Sequence, residues 1–312
     1  MHTTGLAGPS TWHRAVTPTA AYSRRPPSPP SIPTQMVRGD ESSCPVSYTL
    51  KPTEDYLDAI QLTRAQLAAV TRGRKQCSVN RASPWVYEQR RYFHSILDYM
   101  SLGPVSVVRD RAYLAREQIS MIVHVRDARM PPTRAVDDAC RALPGLTKFE
   151  VAVRNDFDLL HQLPAIIHTI NTHMIELSDE TACQTDVTPR IGRILVTCAT
   201  GNDLSALLVA GYVMAMFGLS TSKVVGFVSL QRFCCTFDED IKRILQTWED
   251  ILKATAVVSR DRAATQNTAR LPKSKRDVHD MMSSDLSTDD SLCDDMDRFT
   301  GREAFGPFMD MD

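Results

Sequence analysis

None of the eight cysteines in this chain is paired at C-x-x-C spacing, so neither a zinc site nor a disulfide framework is expected. A long apolar run is also missing. The most hydrophobic stretch, residues 204–219, is broken by Ser205, Gly211, Tyr212 and Gly218. It falls short of the roughly 20 residues that span a bilayer, and no membrane span is expected. Acidic residues are absent from residues 1–39, which carry Arg14, Arg24, Arg25 and Arg38. That composition suits a mitochondrial presequence, but its prolines prevent the amphipathic helix such a signal needs. Without a secretory signal the cysteines are expected in a reducing intracellular compartment, cytoplasm and/or nucleus.

What is present suffices for one core, since the chain has 312 residues and 43% hydrophobic content. Three regions are expected. Residues 1–84 form a Pro/Ser-rich, mostly disordered start with one helix over 52–72, capped by Thr53 and favoured by Glu54 and Asp55. Within it Arg24, Pro27 and Pro30 have the R-x-x-P-x-x-P spacing of a ligand for an aromatic groove, a spacing that proline-rich linkers also produce by chance. From 85 to 254 short apolar runs alternate with amphipathic ones, which predicts an α/β domain. Its strands are expected at 95–97, 121–125, 149–153 and 194–197. Its helices are expected at 109–117, 159–176, 204–217, 220–230 and 238–254, with a surface loop over 178–192. Residues 255–312 read as a basic knot, Lys273 to Arg276, and an acidic disordered tail that suits docking. In that tail Ser287 with Asp290, and Ser291 with Asp294, fit acid-directed phosphorylation.

The most informative segment is Ile194-Leu195-Val196-Thr197-Cys198-Ala199-Thr200-Gly201-Asn202-Asp203-Leu204-Ser205. An apolar strand leads to Cys198, Gly201 permits a tight turn, and an apolar helix follows. That order is needed to aim amide N–H groups and a positive helix terminus at an anion. Vicinal Cys234 and Cys235 are expected to pack, and His124 is expected as a surface histidine at a strand end.

The flanks give the segment a family. Trp85-Val86-Tyr87-Glu88-Gln89-Arg90-Arg91, then Ile96-Leu97 and Leu102-Gly103-Pro104, resembles the opening of the serine/threonine/tyrosine-interacting pseudophosphatases. That family is a branch of the dual-specificity phosphatases in the protein-tyrosine phosphatase superfamily. Residues 211–218, Gln231-Arg232-Phe233-Cys234, Leu245-Gln246 and Glu249 resemble the end of the same domain. The resemblance implies a small central mixed sheet flanked by helices over residues 85–254.

Active members of the superfamily carry H-C-x-x-G-x-x-R-S. Here the histidine position is Thr197 and the arginine position is Leu204, while Cys198, Gly201 and Ser205 remain. Typical members of the pseudophosphatase branch lose the cysteine and keep the arginine, so this chain departs from both patterns. Asp203 adds a charge that repels phosphate. The superfamily's general acid falls near Val153-Arg154, and Asp156 and Asp158 read as caps of the next helix. Without His or Arg to lower its pKa, Cys198 is expected to be a relic nucleophile with an inert thiol.

The expected function is therefore that of a catalytically impaired phosphatase-like scaffold or competitor in phosphorylation signalling or ubiquitin-ligase regulation. Its partners would be proteins: kinases, phosphatase substrates or ubiquitin-ligase components, with no nucleic acid, membrane, metal or cofactor. The alternative is a divergent, weakly active protein phosphatase using Cys198. A reader that binds phosphopeptides without cutting them ranks below both.

Overall fold

The computed structural model describes residues 47–182 and 192–269. The Pro/Ser-rich start before residue 47, the basic knot and the acidic tail expected from the sequence lie outside these residues. A short antiparallel ribbon joins β1 (Thr49–Leu50) to β2 (Gln76–Cys77), with α1 (Arg64–Thr71) between them. The main sheet follows, built from β3 (His94–Leu97), β4 (Met100–Pro104), β5 (Ile119–Asp127), β6 (Thr147–Val153) and β7 (Arg193–Cys198). Its order is β3-β4-β7-β5-β6, antiparallel at β3 and parallel elsewhere. The helices are α2 (Arg111–Arg116), α3 (Arg134–Ala142), α4 (Asp156–Ala182), α5 (Leu204–Phe217), α6 (Thr221–Gln231) and α7 (Glu239–Ala269). A small mixed sheet flanked by helices is the architecture expected.

At the centre lies α5, with Ser205 through Phe217 all buried. A helix apolar on every side has no solvent face to offer, so it must be enclosed. Gly211 makes the enclosure tight: a Cβ there would meet Leu163 of α4 at 2.9 Å. From the other side the Trp248 indole donates to the Gly211 carbonyl at 3.0 Å. No single described helix is long and apolar enough to cross a membrane, because the apolar stretch bends by 120° between α5 and α6.

Several expectations need correction. The packed body does not begin at residue 85, since Leu50, Ile60, Leu62, Leu67 and Val70 are buried in the main core. The helix foreseen over 52–72 is only α1, because Gln61 takes φ 54 and breaks the chain's path. Its cap is Thr63, not Thr53: Thr63 Oγ1 accepts from the Gln66 amide and Gln66 Oε1 from the Thr63 amide, a reciprocal capping box. Strand β4 and helix α3 were not foreseen. Helix α4 continues through the start of the expected 178–192 loop to Ala182, and residues 183–191 lie outside those described. Helix α7 runs past 254 because Ala256 is still buried, so 255–269 are helical and not tail.

Candidate functional site

Strand β7 carries Cys198 to the carboxyl edge of the parallel strands, beside Pro104 at the end of β4. The turn after it depends on Gly201, whose φ is +74 and whose added Cβ would lie 2.3 Å from the Gly103 carbonyl carbon and the Pro104 nitrogen. Only glycine satisfies both demands. Helix α5 then starts at Leu204, and the side chain of its cap residue Asp203 makes no bond to the helix amides.

Cys198 is 3% exposed. Its sulfur accepts from the Ser205 hydroxyl at 3.0 Å and the Gly201 amide at 3.2 Å, with Thr200 Oγ1 at 3.7 Å. Burial raises the pKa of the thiol. Bonds from the Ser205 hydroxyl and from the Ser205 and Asp203 amides outweigh that and hold it below the usual thiol value. Donors within the loop thus favour the thiolate where the histidine is missing.

The rest of the loop closes on itself. The Thr200 hydroxyl donates to Asp203 Oδ2 at 2.8 Å, and the Asn202 amide donates to Thr200 Oγ1 at 3.1 Å. Ala199 is exposed, and Leu204 is partly buried against the core. Thr197 is fully buried and its hydroxyl meets His124 Nδ1 at 3.1 Å. His124, expected at the surface, is 3% exposed, with Nε2 at 2.9 Å from Thr133 Oγ1. Burial lowers its pKa, so it is a neutral core histidine.

The arginine nearest the loop is Arg232, fully buried. Its five N–H groups go to Gly201 O (3.0 Å), Tyr92 O (2.7 Å), His94 Nδ1 (2.8 Å), Arg90 O (3.0 Å) and Asn202 Oδ1 (3.0 Å). Guanidinium has five donors, so none remains for an anion. Asn202 is held further, its carbonyl accepting from the Thr236 amide at 2.9 Å and its Oδ1 from the Cys234 thiol at 3.3 Å. The sequence marked Arg232 and Cys234 as family residues, yet no local pattern assigns them to loop anchoring, because their partners lie 30 or more positions away.

His94 must accept from Arg232, since guanidinium has no lone pair to offer. Burial, then Arg232 and Arg81, lower its pKa to about 4. Between pH 4 and 6.5 the unfolded chain binds the extra proton and the folded chain does not, so stability rises with pH there and is lost on acidification. Allowing for the ring's partial exposure, the loss is about 2 kcal/mol. Denaturant melts at pH 7 and pH 4.5 should show it, and His94→Asn, whose amide oxygen still accepts, should remove most of it.

Carboxylates rim the loop. Asp158 lies in the first turn of α4 and accepts from the Arg154 amide at 2.9 Å, while the cap is Asn155, whose Oδ1 accepts from the Asp158 amide at 2.9 Å. Asp156 differs: burial, then Asp238, Asp203 and Asp240, raise its pKa. Asp238 is placed there by its own task, accepting from the Ile241 amide at 2.8 Å at the start of α7.

A parallel strand ending in a buried cysteine, a glycine turn aimed back at its sulfur, and a buried helix reproduce the scaffold inferred from residues 194–205. The domain has a dual-specificity-phosphatase-like fold. Solved structures similar to this chain include the human tyrosine phosphatase-like serine/threonine/tyrosine-interacting protein, 20% identical, covering 52% of this chain and 97% of that one, TM-score 0.37. Human DUSP28 is 21% identical over 52% of this chain and 95% of its own, TM-score 0.39. A leucine rich repeat and phosphatase domain containing protein from Entamoeba histolytica is 16% identical over 54% and 97%, TM-score 0.41. No protein-family model and no curated protein matches the sequence. At these levels the likenesses carry no argument about chemistry, which rests on the loop itself.

Proposed function

We propose that this domain is a pseudophosphatase that binds proteins and does not turn over phosphate esters. The observation that carries the reading is Leu204 at the position from which an arginine would clamp phosphate. Its side chain packs against the core and offers no donor. A bidentate charge-assisted clamp is worth about 3 to 6 kcal/mol. Losing it lowers a rate by roughly two to four powers of ten. Arg232 does not substitute, because its donors are committed. Asp203, Asp156, Asp238 and Asp240 repel a dianion arriving at the loop. Kinases, phosphatase substrates and ubiquitin-ligase components are the partner classes that the family resemblance suggests.

A second reading, a weak phosphatase, is favoured by the same site's proton chemistry. Cys198 has a depressed pKa and Asp156 a raised one, the directions a nucleophile and a general acid need. Assay of the full chain with an aryl phosphate and a phosphotyrosine peptide separates the two. The scaffold reading expects no turnover above that of Cys198→Ser. Turnover that Cys198→Ser abolishes establishes the weak enzyme.

A further inference from the structure

Beside the loop lies a surface that nothing among the described residues covers. Tyr87 is 57% exposed, Tyr92 62% and Phe233 46%, large exposures for aromatic residues of one neighbourhood. The half-buried Trp85 organises it, its ring 5.3 Å from Phe233 and 6.4 Å from Tyr87 between centroids. Ring contacts of this kind orient the side chains before any partner arrives. The backbone beneath is held as well, because the buried Arg232 donates to the carbonyls of Arg90 and Tyr92.

Charge of one sign is in excess here. Arg90 is exposed and stacks over Tyr87, 4.1 Å from the ring centroid, and Arg91 beside it is exposed too. Neither guanidinium forms an ion pair with a carboxylate among the described residues. Glu88 is the only acid from residue 81 to residue 97. Burial raises the pKa of the Cys234 thiol while Arg232 and Arg90 pull it down, so the Arg90 charge also reaches the neighbour of Phe233. The acidic rim of the loop begins only past Asn202, at Asp203.

Aromatic rings and arginines, with no lysine among them, are the residue types that carry most of the energy of protein contacts. We propose that this surface docks an acidic peptide segment of a partner protein, with its apolar side chains on the rings of Tyr87, Trp85 and Phe233 and its carboxylates on Arg90 and Arg91. This rests on the reading of the domain as a protein binder and names the chemistry of the partner. A carboxylate takes paired hydrogen bonds from guanidinium, and Arg90 loses little freedom in offering them because it already lies on Tyr87. Single-stranded nucleic acid also stacks on rings, but it needs a long basic track, and Glu88 interrupts this one.

The test is selection of peptides from a random phage-displayed library on the full chain, with affinities of the enriched peptides then measured by fluorescence anisotropy. Enriched peptides should carry more Asp and Glu than the library, set around aromatic or aliphatic residues. Arg90→Glu with Arg91→Glu should weaken their binding about tenfold, and Phe233→Ala should do likewise. All three side chains are exposed, so the fold survives the changes. Failure to enrich any peptide, enrichment without an acidic excess, or binding indifferent to these substitutions would overturn the proposal. So would an oligouridylate that binds more tightly than the selected peptides. Selected peptides that bind elsewhere on the domain remove this surface and leave the protein-binding reading standing. Phosphate-ester turnover lost in Cys198→Ser removes the pseudophosphatase reading and leaves this surface, so the two failures are told apart.

Discussion

Replacing Arg232 with methionine is expected to lower stability by about 3 to 5 kcal/mol, a drop of roughly 10 °C in the melting of a domain this size. The side chain is fully buried and saturates five acceptors, three of them backbone carbonyls. Methionine fills the volume and leaves every acceptor unmet, at a cost of about 1 to 3 kcal/mol for each one that water cannot reach. Lysine should rescue little, because one ammonium group cannot follow the planar fork from Gly201 to Arg90 and Tyr92. A local readout accompanies the melt. With Gly201 and Asn202 released, Cys198 should react faster with a thiol reagent. Unchanged stability and unchanged thiol reactivity would remove Arg232 from its place as the anchor of the loop.

Gly201→Ala is expected to be comparably severe, about 3 to 5 kcal/mol, for a different reason. The left-handed conformation at φ +74 costs a side chain roughly 1 to 2 kcal/mol. The new methyl group would also strike Gly103 and Pro104 backbone atoms at 2.3 Å. Backbone cannot rotate away as a flexible side chain can, so strand β4 or the loop must move. The sulfur then loses the Gly201 amide, one of its two short donors. A thiol titration of Gly201→Ala should show the Cys198 pKa rising toward that of an ordinary cysteine. An unchanged melt together with an unchanged titration would mean that the turn does not set the thiol.

The scaffold of the site was legible because local pattern dictates it. Strand β7 carries the apolar run Ile194 to Val196, Gly201 marks the turn, and α5 is apolar on all sides; each reads from neighbouring residues alone. Strand β4 was hidden because Met100–Pro104 ends in glycine and proline, which argue against a strand. Both are used by the fold, since a Cβ on Gly103 would meet Phe93 at 2.8 Å and Pro104 borders the Gly201 turn. Helix α3 has only Val136 and Ala139 buried among charged neighbours, too thin an apolar stripe to announce itself. The burial of His124 depends on Thr197 and Thr133, and the anchoring by Arg232 on carbonyls of the 90–92 and 201 segments. Such long-range partners leave no periodic trace. The same holds for the depressed thiol, which the absence of histidine and arginine seemed to forbid.

On the proposed reading, this loop keeps the shape of a phosphate cradle while Leu204 and Asp203 deny it the charge to hold phosphate. Restoring the missing histidine is a poor test, because Thr197 is fully buried against His124 and a second imidazole would overfill the core. Leu204 and Asp203 lie at the mouth of the loop and can be exchanged without that conflict. Calorimetric titration with tungstate, a phosphate mimic, therefore bears most directly on the claim. The native chain should give no heat of binding, and Leu204→Arg with Asp203→Ser should bind. Native protein that binds tungstate as tightly as the double variant would contradict the account.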